Sequence, residues 1–177
     1  MNYRDILDFW FAEPKKWFNG WEDFGQEIKK RFEDEYKDVI AWKLDIWMDN
    51  AFWSLALIII LDQFPRNMFR GTARAFEYDF KALYTTKMSL KKWFLEALEW
   101  QQRNFLLMPL MHSESLPDQD ILIEIFEQID SQWQSKEYAK RHRDIIVKFG
   151  RFPHRNLALG RISTPAELDF IATHSNF

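Results

Sequence analysis

No cysteine occurs anywhere in the 177 residues, which removes disulfides, thiolate metal ligands and cysteine nucleophiles together and agrees with a reducing, cytoplasmic setting. Glycine (five) and proline (six) are scarce, and no Ser/Gly-rich stretch or block of like charge interrupts the chain, which therefore reads as a single domain over residues 1–177. Neither G-x-x-x-x-G-K-[ST] nor G-x-G-x-x-G is present, so nucleotide chemistry of the usual kinds is not expected. HExxH, CxxC and closely spaced acidic loops are missing too, so neither a metal nor a cofactor is expected. The most apolar run, AFWSLALIIIL, covers eleven residues. A bilayer crossing needs roughly 18 to 20, so that run is expected to be a buried central helix and no membrane association is expected. The amino-terminal stretch carries Asp5 and Asp8 and lacks a basic start before a small-residue cleavage site, so it reads as a structural helix rather than a secretory signal.

What the chain has in excess is aromatic bulk: nine Trp and seventeen Phe. A core closed by ring packing follows. Phe24, Ile28, Phe32, Tyr36, Val39 and Ile40 recur three or four apart, with charges between them, which is one apolar stripe on a solvated helix. Asp49 or Asn50 is positioned to cap the next helix, which is expected to end near Phe64 because Pro65 lacks an amide hydrogen and crowds the preceding turn. A further helix is expected from Gly71 and Thr72 through Tyr84, with Ala75, Phe76, Phe80 and Leu83 facing the core. Pro109 is expected to bend or break its helix. Helices are also expected from near Asp118, from a Ser135 cap to a Gly150 stop, and from a Thr164-Pro165-x-Glu167 capping box. Nothing alternates with period two for long enough to argue a sheet. The fold class expected is all-α, about seven to nine antiparallel helices in one domain.

Two stretches repeat nearly the same letters: Phe64-Pro65-Arg66-Asn67 with Gly71, and Phe152-Pro153-His154-Arg155-Asn156 with Gly160. Charge singles them out again. Residues 63–76 stand at +3 and residues 141–161 at +5, leaving −11 on the remainder of a chain whose formal net charge is −3. Eight of the nine cations in the two islands are Arg, whereas Lys makes up twelve of the fifteen elsewhere. Arg presents a planar fork that grips carboxylate or phosphate oxygens in pairs. One reading is a cleft in which Arg66, Asn67, Arg70, Arg151, His154, Arg155 and Asn156 hold a small anion or the carboxylate end of a peptide. The alternative is that the same arginines tie loops to structural acids such as Asp62, Asp118 and Asp144 and to helix-end carbonyls. The net negative body argues against nucleic acid.

Candidates for acid–base work are His112, Glu114 and His154. The adjacent His112-Ser113 pair cannot readily make a nucleophile and its base, and no G-x-S-x-G elbow is present. Glu114 is equally a partner for an arginine such as Arg103 or Arg155, and His112 a half-buried, hydrogen-bonded histidine. The aromatic set Phe9, Trp10, Phe11, Trp17, Phe18 and Trp21 reads as core rather than as a base-stacking platform. Three functional classes therefore remain open: a binder of a small anion or peptide end, an enzyme acting on a phosphorylated or carboxylated substrate, and a scaffold for a protein partner. The sequence carries no signal for oligomeric state.

ILDFWFAEP, LALIIILDQFPRNMFRGTARAF, FLLMPLMHSE and YAKRHRDIIVKFGRFPHRNLALGRISTPAEL, in this order, resemble a widespread, chiefly bacterial family known only as a domain of unknown function. The likeness runs from residue 6 to about residue 170 and implies a helical fold similar to tetratricopeptide repeats, an α-α superhelix. It implies no activity and carries no catalytic residue over. The shared motif positions include Asp62, Gln63, His112, Ser113, Glu114 and the two Phe-Pro corners, whereas bulky Phe52 and Trp53 in DNAFWSL depart from the pattern.

Overall fold

In the computed structural model, residues 2–17, 21–41, 48–129 and 133–174 are described, with backbone alone at 21, 22, 133 and 134. No strand occurs among the described residues. The chain packs as two compact units, the first formed by residues 1–70 with 74–109 and the second by 71–73 with 110–177.

In the first unit α1 (Tyr3–Ala12) starts where the Asn2 side chain accepts the Arg4 amide, and its buried face is Ile6, Leu7 and Trp10. Helix α2 (Trp21–Ile40) buries Phe24, Ile28, Phe32, Tyr36 and Val39, as the three-and-four spacing requires. Phe9, Trp10, Phe11 and Trp17 all join this core, whereas Phe18 and the Trp21 side chain lie outside the described residues. Helix α3 (Ala51–Ile58) is capped by Asn50, whose side-chain oxygen accepts from Phe52 and Trp53. It buries residues all round, as a central helix must.

The helix does not end at Phe64. A π turn over Ile59–Gln63 widens the coil, Phe64 donates to Ile59 O, and α4 (Phe64–Met68) continues through Pro65. The extra residue in that turn displaces the proline from the register in which its ring would crowd the carbonyl four residues back, so the expected stop becomes a bulge. The next helix differs as well. Residues 71–78 form turns and a short 3₁₀ segment, Ala73–Ala75, and α5 (Asp79–Lys91) begins only afterwards. Phe80, expected in the core, is 61 % exposed, because the late start rotates the helix so that Lys81, Ala82, Thr85, Thr86 and Ser89 face inward. Helix α6 (Trp100–Met111) runs through Pro109 without breaking. Only two residues follow the proline, so little of the hydrogen-bond ladder is lost.

In the second unit α7 (Leu116–Gln128) starts two residues before Asp118, after Ser115. Helix α8 (Trp133–Phe149) starts before Ser135, which lies within it. Arg143 Nε, in the second half of α8, reaches Asp120 Oδ1, in the first half of α7, at 2.6 Å, as in an antiparallel pair. Gly150 stops α8 at φ +69, its amide bonded to Ile146 O. Ile145, Ile146 and Phe152 form a small core with Leu116, Phe149 and Phe170 against them. The last helix, α9 (Pro165–Thr173), has the capping box read from Thr164 and Glu167.

Candidate functional site

The first Phe-Pro corner is built around the π turn. Phe64 is fully buried, with ring centroids 5.4 Å from Phe32 and 5.9 Å from Trp10. Beyond the proline, side chains take over as donors to the disturbed ladder: Arg66 Nη1 donates to Asp62 O at 2.7 Å and Asn67 Nδ2 to Gln63 O at 2.9 Å. Both nitrogens at the end of the Arg66 fork also grip Asp79, at 2.8 Å each, and Nη1 lies 3.0 Å from Asp62 Oδ1. Asp62 is fully buried and also accepts from the Gln63 side chain. Burial opposes the charge on Arg66, but Asp62 and Asp79 outweigh it and hold the pKa above its ordinary value. Gly25 lets α2 touch this corner, since a Cβ there would stand 2.4 Å from Asn67 O. Arg70 lies at the surface of the corner.

The second corner follows a true helix end. Phe152 is extended, Pro153–Arg155 makes one 3₁₀ turn, and Arg161 N reaches back to Asn156 O across Gly160 at φ +65. Glu114 ties this loop down: Oε1 accepts the Phe152 amide at 2.9 Å, and the two carboxylate oxygens take the Arg161 fork at 2.8 and 2.9 Å. Burial would raise the Glu114 pKa, yet the Arg161 and Phe152 donors hold it below the usual carboxylate range. Arg151 forks onto Glu167 at 2.7 and 2.9 Å and donates to Ile162 O at 2.9 Å. That fork and the Thr164 amide depress Glu167 far below its ordinary value. Asn156 Nδ2 donates to Ser163 Oγ at 3.0 Å.

Phe152 gathers the remaining polar candidates. Arg155, 5 % exposed, has its guanidinium carbon 4.6 Å from the ring centroid, and the His142 and His154 rings each lie 5.6 Å away. His142 Nδ1 is 2.8 Å from Tyr138 O; a carbonyl only accepts, so this nitrogen carries the proton. Burial, with His112 and Arg155 as nearby positive groups, pushes the His142 pKa down to about 4, so the ring is neutral at pH 7. His112 and Ser113 are half-buried, and Ser113 Oγ donates to Asp118 at 2.7 Å. Gln119, fully buried, donates to the carbonyls of Leu110, Met111 and Ser113 and so closes the end of α6.

The structure places Arg66, Asn67 and Arg70 in the first unit, and Arg151, His154, Arg155 and Asn156 in the second together with His112 and Glu114. Glu114 takes Arg161, not Arg103 or Arg155. Three residues central to this geometry escaped the sequence reading in their roles: Asp79, Arg161 and Glu167. Glu167 had a signal in its capping box, but that motif explains a helix start and says nothing of Arg151. Asp79 and Arg161 are partners 13 and 47 positions away in sequence, for which a single chain holds no local mark. A shallow groove of about 510 Å³ lies along α7 and α8, lined by Asp120, Ile123, Glu124, Lys140, Arg143 and Asp144, none of them a predicted site residue. Among the described residues no group of three or more His, Asp or Glu is arranged to hold a metal ion, and no helix is long and apolar enough to cross a membrane.

Both corners fall inside a match to the model of a family described as bacterial protein of unknown function (DUF924), over residues 6–175. The chain belongs to the DUF924 family. A solved structure, that of the protein of unknown function ATU0120 from Agrobacterium tumefaciens, is similar at 35 % identity with a TM-score of 0.90 over 97 % of each chain. The resemblance read from the motifs is thereby established, as is the all-helical fold. A search among curated proteins found no match.

Proposed function

We propose that this DUF924 member is a cytoplasmic protein-binding domain in which the arginine corners are framework and the docking surface is the elbow they brace. One observation carries this reading: Leu157 and Ile162 stand 94 % and 91 % exposed on a turn tied at both ends by buried or ion-paired groups. The ties are Asn156 to Ser163, Arg161 to Glu114, and Arg151 to Ile162 O. Single exposed aliphatic residues are ordinary on a surface, but two on one rigid turn present pre-ordered apolar prongs to a partner with a matching pocket. The helical hairpin of α7 and α8 is consistent with tetratricopeptide-like stacking. The test is affinity capture with the full chain and with a Leu157→Ser/Ile162→Ser variant. Loss of a reproducible partner at an unchanged melting temperature supports the reading; the same partner held equally by both rejects it.

A second reading, the anion site, is favoured by the gathering of Arg155, His142 and His154 around the Phe152 ring. A small phosphate or carboxylate would be drawn there. Catalysis through Glu114 is disfavoured by geometry, because both of its oxygens are engaged by Arg161 and the Phe152 amide. Titrating inorganic phosphate while following the histidine ring protons by NMR decides this case: saturable shifts of His112 and His142 support it, and unmoved resonances reject it.

A further inference from the structure

Helix α5 is turned inside out. Its inward face holds Lys81, Ala82, Thr85, Thr86 and Ser89, each at most 2 % exposed, and the polar groups there are occupied within the fold. Lys81 donates to Val39 O, Thr85 to Lys81 O, Thr86 to Leu106 O and Ser89 to Thr85 O. The outward face carries Phe80 at 61 % and Tyr84 at 49 % exposure, and just past the helix end Trp93 is 75 % exposed. Trp93 also holds a left-handed backbone at φ +59, a conformation disfavoured for an aromatic residue. A helix lying at the rim of a unit should show the opposite distribution, with rings inward and small polar groups outward.

The outward stripe has an internal order. At about 100° per residue, positions 80, 84, 87 and 91 fall within one band about 60° wide and about 16 Å long. Along it the residues read Phe80, Tyr84, Lys87, Lys91: two rings, then two cations. Reversed and laid on itself, the stripe sets position 80 against 91 and 84 against 87 about one point between residues 85 and 86. The same centre sets Tyr78 against Trp93.

We infer that this stripe is the contact between two copies of the chain, packed with α5 antiparallel to α5 across a two-fold axis. Each ammonium then faces the ring of the other copy, giving cation–π pairs Phe80 with Lys91 and Tyr84 with Lys87, each made twice by symmetry. An acidic peptide would engage the lysines and leave the rings half covered, whereas a second copy covers the rings and brings cations over them at once. One three-turn face is smaller than the roughly 800 Å² per partner of a standard interface, so the association is weak and depends on concentration. It uses no residue of the elbow and stands apart from the docking reading.

Sedimentation equilibrium over a concentration series tests this with the full chain and two complementary variants, F80K/Y84K and K87E/K91E. The parent is expected to shift from 21.6 kDa toward twice that mass as concentration rises. Each variant alone is expected to dissociate on the order of 100-fold more readily. An equimolar mixture of the two re-forms the dimer, because the F80K and Y84K ammonium groups of one chain meet the K91E and K87E carboxylates of the other, while the parental cation–π pairs persist on the opposite half. None of the four positions is buried, and circular dichroism melts confirm folding. A parent that stays at 21.6 kDa at every concentration overturns the inference. So does a dimer that survives in either variant, or a mixture that stays monomeric.

Discussion

The two Phe-Pro corners share letters and differ in almost everything those letters do. Phe64 and Phe152 are both fully buried, and Gly71 and Gly160 both take positive φ, at +76 and +65. At the first corner the helix survives its proline by widening to a π turn, and Arg66 then serves the helix by feeding Asp62 O and binding Asp62 and Asp79. At the second the helix has already stopped at Gly150, and the aligned Arg155 lies over the Phe152 ring. There the carboxylate-gripping role passes to Arg151 and Arg161, which have no counterpart in the first motif. An arginine's partner is set by which acid the fold brings alongside, so a shared Phe-Pro-Arg-Asn pattern specifies a corner and leaves the use of its cation open.

Disrupting each corner in turn separates their roles. Arg66→Ala should have the largest effect, a loss of about 3–5 kcal/mol in urea unfolding, because it strands the buried Asp62 charge. Restoring a neutral partner with Asp62→Asn in the same chain should recover part of that loss. Gly25→Ala should remove about 3 kcal/mol by driving a methyl into the backbone at Asn67, an effect specific to the first corner. Glu114→Gln should cost the second corner about 2 kcal/mol and speed hydrogen exchange at the Phe152 amide while leaving α4 amides protected. Acid should act through the second corner as well. His142 titrates at about 4 when folded against 6.5 ordinarily, so the unfolded chain takes its proton first and stability declines as pH falls from 6.5 to 4. Glu114 and Glu167, held below the usual range, add a second decline below a pH of about 4.3. His142→Phe should abolish the upper decline and keep the lower one. Smallest of all, Gly160→Ala should cost about 1 kcal/mol, from the left-handed backbone alone.

Local chemistry was legible in the sequence. The Asn50 cap, the Thr164–Glu167 box, the Gly150 stop and the α2 stripe are all where the letters put them, because each depends on residues within a turn or two of one another. Pro65 misled, since the sequence shows the missing amide hydrogen and not the widened turn that accommodates it. Phe80 misled for a related reason: periodicity identifies a helix face, but where the helix begins decides which face is inward, and that start lies at Asp79 beside Arg66. The site was legible as a set of residue types only. Arg66, Arg151 and Glu114 stand out by composition, yet what they do depends on Asp79, Glu167 and Arg161, which only folding brings to them.

Arg66, Arg151 and Arg161 are held by Asp79, Glu167 and Glu114, and on the reading proposed above they brace the fold rather than wait for an anion. The thermal unfolding midpoint of the parent chain, titrated with inorganic phosphate from micromolar to low millimolar at constant ionic strength, puts this to proof. The midpoint should not move; a saturable rise following the occupancy of a single site would contradict it.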